Sequence, residues 1–181
     1  MEERVCPVER AGGLESWFRK LVHNPDRILG KYVRQGMTVV DAGCGPGAFT
    51  VPLAKMVGGN GKVIAVDLQQ GMLDKLEAKI KGTEIKKIIT LHKCNENNLG
   101  VKQKADFILA FYMVHEVPDI GQLLREFKTI MKKGAKLYLV EPSFHVGRKE
   151  FNQIIGQAKS LGFREIERPG IFLSRAVVLG L

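Results

Sequence analysis

A chain of 181 residues that is 45% hydrophobic and 26% charged is long enough to bury a core and too apolar to stay disordered. Its 28 Lys and Arg against 19 Asp and Glu give a formal net charge of +9. The positive residues are spread out and not interleaved with aromatics, which favours solvated helix faces over a base-stacking nucleic-acid platform. No apolar run is long enough to cross a bilayer, and the start, Met1-Glu2-Glu3-Arg4, is charged and shows no apolar leader. The cysteines Cys6, Cys44 and Cys94 are odd in number and lack a CxxC spacing, which opposes a disulfide framework and a structural zinc site. We therefore expect a cytoplasmic chain forming one domain over 1–181.

In chain order, the segment 1–35 reads as a helical cap. Leu14, Trp17, Phe18 and Leu21 fall on one helical face, Asn24-Pro25 punctuates, and Ile28, Leu29 and Val33 continue the apolar pattern. From there strands and helices alternate. We predict strand 37–42, helix 48–57, a Gly-rich turn at 58–61, strand 62–67 and helix 70–81. Strands 87–92 and 106–111, helix 119–132, strand 135–140, helix 148–160 and strands 163–168 and 171–179 follow. This alternation implies right-handed crossovers and a doubly wound α/β sheet over 36–181, its last two strands antiparallel because little chain separates them.

The first strand ends in Asp41 and runs into Gly43, Gly45 and Gly47, where a ligand can approach the backbone without meeting a Cβ. The second strand ends in Asp67, about twenty residues on, where a carboxylate is placed to accept from a ribose diol. The glycines lack the two-residue gap of the dinucleotide fingerprint, so the turn suits a ribose-bearing ligand without a pyrophosphate, and an NAD-dependent oxidoreductase is disfavoured.

Asp41-Ala42-Gly43-Cys44-Gly45-Pro46-Gly47 resembles the glycine-rich motif of class I S-adenosylmethionine-dependent methyltransferases, D-x-G-C-G-x-G. Val63-Ile64-Ala65-Val66-Asp67 resembles the family's second motif, Ala105 to Phe111 followed by His115 its fourth, and Met131 to Pro142 its fifth. The nearest flavour is the branch containing the ubiquinone and menaquinone biosynthesis enzymes. The resemblance implies a Rossmann-like seven-stranded sheet of order 3-2-1-4-5-7-6 and S-adenosylmethionine as cofactor, with S-adenosylhomocysteine as product.

It also implies roles. Gly43, Gly45 and Gly47 would lie against the methionine portion, and Asp41 would position the glycine loop and the amino-acid end. Asp67 would hold the ribose hydroxyls, and Leu68 and Met72 would face the adenine. In the third motif an Asp of many relatives is replaced: within Lys93-Cys94-Asn95-Glu96-Asn97, Asn95 takes that place, or Glu96 does, or Asn95 is a plain turn residue. Cys44 and Cys94 sit in the two turns facing the cofactor, as binding residues or as small reduced side chains. Ala110 and Phe111 would line the methionine side. His115 either takes the acceptor's proton or braces the cofactor loop. Glu141 and His145 are further candidates for acceptor contacts or members of a polar turn. His115-Glu116 lacks the second His of a zinc-protease helix, and no metal is expected.

The stretch after the fifth strand is short, so the N-terminal helices would cover the pocket, with Cys6, Trp17, Phe18 and His23 as lid candidates. We expect a small-molecule methyl acceptor and no membrane span; a nucleic-acid or protein acceptor, a homodimer, and a non-catalytic cofactor-binding partner subunit stay open.

Overall fold

The computed structural model describes residues 24–181. Seven strands form one sheet in the order β3-β2-β1-β4-β5-β7-β6. These are β1 (Thr38–Ala42), β2 (Lys62–Asp67), β3 (Ile89–Lys93), β4 (Ala105–Phe111), β5 (Met131–Pro142), β6 (Arg164–Glu167) and β7 (Ser174–Gly180). β1 to β5 pair in parallel, and β7 runs antiparallel to both β5 and β6. The strand order is the one the resemblance implied, and β6 and β7 form the antiparallel pair expected from their short connection.

The central strands are buried on both faces because helices cover both, which is why they read as continuous apolar runs rather than alternating ones. On one face lie α1 (Pro25–Leu29), α2 (Thr50–Val57) and α3 (Gln70–Ile80). Their Leu29, Leu53, Leu76 and Ile80 pack with Val39, Val63, Phe107 and Tyr138. On the other face, α4 (Ile120–Ile130) and α5 (Arg148–Ser160) bury Leu124, Phe127, Ile154 and Ile155 against Val40, Ile108 and Leu139. Each such side chain, taken fully out of water, contributes about 1.5–3 kcal/mol.

The ends of several helices are set by local chemistry. Asn24 Oδ1 accepts from the amides of Asp26 and Arg27, at 2.9 and 3.3 Å, and Pro25 fills the first turn of α1. Asp119 caps α4 by accepting from the Gln122 amide at 2.8 Å.

Some boundaries differ from the sequence expectation. α2 begins at Thr50 rather than 48, since the chain needs residues 43–49 to turn off β1. Residues Glu84–Lys87 form a 3-10 turn that delays β3 to Ile89. β5 starts at Met131, so Lys132, expected as the last residue of a helix, lies in a strand. β7 starts at Ser174 instead of 171, because residues Ile171–Leu173 make the turn that reverses the chain. α5 has the predicted limits.

The carboxyl ends of β1, β2, β4 and β5 lie along one edge of the sheet, at Ala42, Asp67, Phe111 and Pro142. The strand order reverses between β1 and β4, and ligands of doubly wound sheets bind in the crevice beyond such a reversal.

Candidate active site

The turn after β1 is held by the end of β2. The amides of Gly43 and Cys44 both donate to the Val66 carbonyl at 2.9 Å. The Gly45 amide donates to Asp67 Oδ2 at 2.8 Å, and the Gln69 amide to Asp67 Oδ1 at 2.9 Å. Asp67 therefore organises the loop beside it. An ionised carboxylate has about four acceptor positions, so Asp67 keeps capacity for a further donor beside its backbone partners. Burial pushes the Asp67 carboxyl up, and the backbone donors at Gln69, Gly45 and Leu68 oppose that shift.

The three glycines have positive φ, at 71° for Gly43, 52° for Gly45 and 83° for Gly47. Their surroundings differ. A Cβ at Gly43 would stand 2.6 Å from Met113 Cβ, and one at Gly47 would stand 2.4 Å from Leu76 Cδ1. A Cβ at Gly45 would meet no atom within 4 Å. Gly43 and Gly47 are thus glycines of internal packing, whereas Gly45 opens onto free space.

Asp41 is buried beneath the loop and accepts from Thr50 Oγ1 at 2.6 Å, joining β1 to the first residue of α2. Burial pushes its carboxyl up to about 7; the Thr50 hydroxyl lowers it, and the charge of Asp67 adds to the rise. Cys44 is buried, and its thiol is raised well beyond the usual range, first by burial and then by Asp41 and Asp67. Cys94 is half-buried and raised to about 11, again by burial first and then by Asp67. Both are protonated thiols at neutral pH.

Leu68 and Met72 follow Asp67, Met72 being buried in the first turn of α3. The Cys94 amide donates to the Asp67 carbonyl at 3.1 Å, which brings the end of β3 to the same edge. Asn95 is exposed, and its Oδ1 accepts from the Asn97 amide at 3.2 Å, so this side chain is closing its own turn. The Phe111 ring packs at a tilt of 35° on Phe49, centroids 4.3 Å apart, beside the glycine turn. Ala110 is fully buried in the core beneath α4 and α5.

Beyond β4 the chain turns sharply. Tyr112 has φ 60°, an uncommon conformation for a bulky residue, held by its amide on the Val140 carbonyl at 2.8 Å and its hydroxyl against Ser174 Oγ at 2.5 Å. That turn brings the short 3-10 segment Val114–Glu116 over the end of β5. There Glu141, fully buried, accepts from the Val114 amide at 2.9 Å with Oε1 and contacts His115 Nδ1 with Oε2. The His145 ring stacks on His115 with centroids 5.7 Å apart and planes 14° apart. Burial pulls the His115 imidazole down, but hydrogen bonding and charge from Glu141, with Glu116 and Glu150, outweigh it and the net shift is upward. The pairing of His115 with Glu141 was not foreseen from the sequence; they are neighbours because β4 and β5 are adjacent.

The lid candidates Cys6, Trp17, Phe18 and His23, and the apolar face of Leu14 and Leu21, lie outside the described residues. Among the described residues, no group of three or more His, Cys, Asp or Glu side chains is placed to hold a metal ion, and no helix is long and apolar enough to cross a membrane.

A sequence family described as a methyltransferase domain matches residues 39–134. A demethylmenaquinone methyltransferase of Lactobacillus johnsonii is 35% identical over 112 residues, covering 61% of this chain and 46% of that protein. One from a Geobacillus species is 27% identical over 150 residues, covering 78% and 64%. The chain thus spans about half to two thirds of the length of these curated relatives. Among solved structures, an S-adenosylmethionine-dependent methyltransferase from Aquifex aeolicus superposes with a TM-score of 0.80 at 25% identity, covering 95% of both chains.

Proposed function

The chain belongs to the methyltransferase-domain family, and from that premise we propose that it transfers a methyl group from S-adenosylmethionine to a small-molecule acceptor. The observation that carries this reading is the asymmetry of the glycine turn. Gly45 faces open space, and it is pinned by the carboxylate that ends the neighbouring strand.

The residues present fit the cofactor. Gly43, Gly45 and Gly47 would border the methionine portion, with Asp41 beneath them. Asp67 ends β2 beside the turn and retains acceptor capacity for a ribose hydroxyl. Leu68 and Met72 offer apolar surface to the adenine, and Cys94 and Asn95 border it at the end of β3. Phe111, with the backbone at Ala110, closes the side toward β4. The cofactor, when bound, supplies a methyl group already activated by its sulfonium. The protein's part is to align an acceptor with it and keep water away, which supplies much of the rate.

The small-molecule acceptor is supported by the names of the curated relatives and by the dispersed positive charge. The test is release of S-adenosylhomocysteine with a panel of small aromatic and aliphatic acceptors, run beside total RNA at low salt. Turnover with small acceptors alone is the expected result. Methylation of RNA alone would contradict the reading.

Replacing Asp67 by alanine is expected to weaken S-adenosylhomocysteine binding by about 1–3 kcal/mol, because the ribose hydroxyls lose their acceptor. Isothermal calorimetry checks it, and unchanged affinity would remove Asp67 from the site.

A further inference from the structure

We propose that Glu141 is a positioning residue that holds His115 as a general base, so that the acceptor is one whose nucleophilic atom must give up a proton. The inference rests on the methyltransferase reading above and adds the chemical class of its acceptor.

The geometry assigns the proton positions. Glu141 Oε1 is taken by the Val114 amide, a donor that cannot be exchanged for an acceptor. Oε2 faces His115 Nδ1. A carboxylate only accepts, so Nδ1 carries a proton and donates it. In the neutral ring the lone pair is then on Nε2, which has no hydrogen-bond partner among the described residues. The ring plane is fixed as well, by the Nδ1 contact on its edge and by His145 stacked on its face.

The location suits transfer. His115 lies two residues beyond Met113, whose side chain packs on Gly43, so this segment borders the glycine turn. The segment is bent over the end of β5 by the positive φ of Tyr112, a strained residue kept at a site rather than replaced by glycine. Beside it stands an exposed aromatic side chain: Phe144 is 70% exposed, and its ring packs on His145 at 4.9 Å. This is a rim for an apolar acceptor rather than a charged one.

In the step this implies, the acceptor's lone pair forms the bond to the methyl carbon as the sulfur–carbon bond breaks and its pair passes to sulfur. The acceptor's proton goes to His115 Nε2, giving an imidazolium that the Glu141 carboxylate stabilises. An acceptor that is already an anion would need no such pair.

The groups facing His115 are Glu141 from β5, Glu116 on its own turn, Glu150 from α5 and His145 from the turn between β5 and α5. The charge of the three carboxylates stabilises the imidazolium that forms when the ring takes the acceptor's proton.

The test uses two readouts on the full chain. The first is nitrogen-15 NMR of the histidine rings during a pH titration. In the native protein His115 should be the Nδ1–H tautomer with a midpoint above the ordinary histidine value. In Glu141→Gln, the amide oxygen must still serve the Val114 amide, so its NH2 faces Nδ1. The proton is then forced onto Nε2 and the midpoint drops. The second is methyl transfer to two probe acceptors, phenol and 4-nitrophenol, the latter ionised in mildly alkaline buffer. Glu141→Gln and His115→Gln should each lower turnover of phenol by about a hundredfold or more and spare 4-nitrophenol. An unchanged tautomer, equal loss on both probes, or no transfer to either would overturn the proposal. Binding of S-adenosylhomocysteine is measured alongside: retained heat with those outcomes sinks the dyad alone, while absent heat in the native protein sinks the methyltransferase reading.

Discussion

Replacing Asp41 with asparagine should raise the melting temperature in mildly alkaline buffer and change it far less in acid. Asp41 is buried and its carboxyl is raised from 3.8 to about 7. The folded state therefore binds this proton more tightly than the unfolded chain does. Stability from that proton is fully present below the unfolded value and is lost as pH rises through the folded one. By about pH 8 the protein carries a buried anion beside Asp67, at a cost of a few kcal/mol. Asparagine has nearly the shape of the protonated side chain and can still accept from Thr50 Oγ1, so it escapes that loss. The check is thermal unfolding of both proteins from about pH 4 to about pH 8. The gap between them should widen steadily with pH; a gap independent of pH would show that Asp41 does not titrate as its burial implies. The protein keeps such an anion at the end of β1, beneath the loop, where a cationic ligand group would offset its cost.

The second large effect separates binding from folding. Gly45→Ala should reduce affinity for S-adenosylhomocysteine by about a hundredfold or more, equivalent to about 2.7 kcal/mol. Its effect on stability should stay near the cost of a left-handed alanine, about 1–2 kcal/mol. The new Cβ has no protein atom within 4 Å, so it enters the space assigned to the methionine portion of the cofactor. At Gly47 the order reverses. There a Cβ would meet Leu76 of α3 at 2.4 Å, and Gly47→Ala should cost stability first. Calorimetric titration and thermal melts of both variants decide it. Native affinity in Gly45→Ala would mean the cofactor does not approach this turn.

The elements most legible in the sequence were those whose burial is complete. β1, β2 and β4 are covered on both faces, so their apolar runs stand out between glycines and charges. The amphipathic pattern of α5, preceded by Gly147, marked its limits without help from tertiary contacts. Boundaries slipped where propensity and context disagree. Residues Met131 and Lys132 look helical, yet they begin β5 beside β4. Residues 84–87 look like the approach to a strand and form a 3-10 turn.

In the candidate site, the positions of Asp41, Asp67 and the three glycines at strand ends and in the turn between them were readable from local sequence alone. The difference between Gly45 and its two neighbours was not, since it depends on Met113 and Leu76, which arrive from other elements. Nor was the bond from the Gly45 amide to Asp67. Glu141 and His115 were separate candidates, because only the register of β4 against β5 brings them into contact. For Asn95 the sequence left an adenine contact and a plain turn residue open, and its amide oxygen accepts from the Asn97 amide within its own turn.

The most direct test of the cofactor crevice is a crystal structure of the protein with S-adenosylhomocysteine. The account predicts both ribose hydroxyls on the Asp67 carboxylate and the homocysteine chain lying across Gly45. A ligand bound elsewhere, or an Asp67 that makes no contact with the sugar, would contradict it.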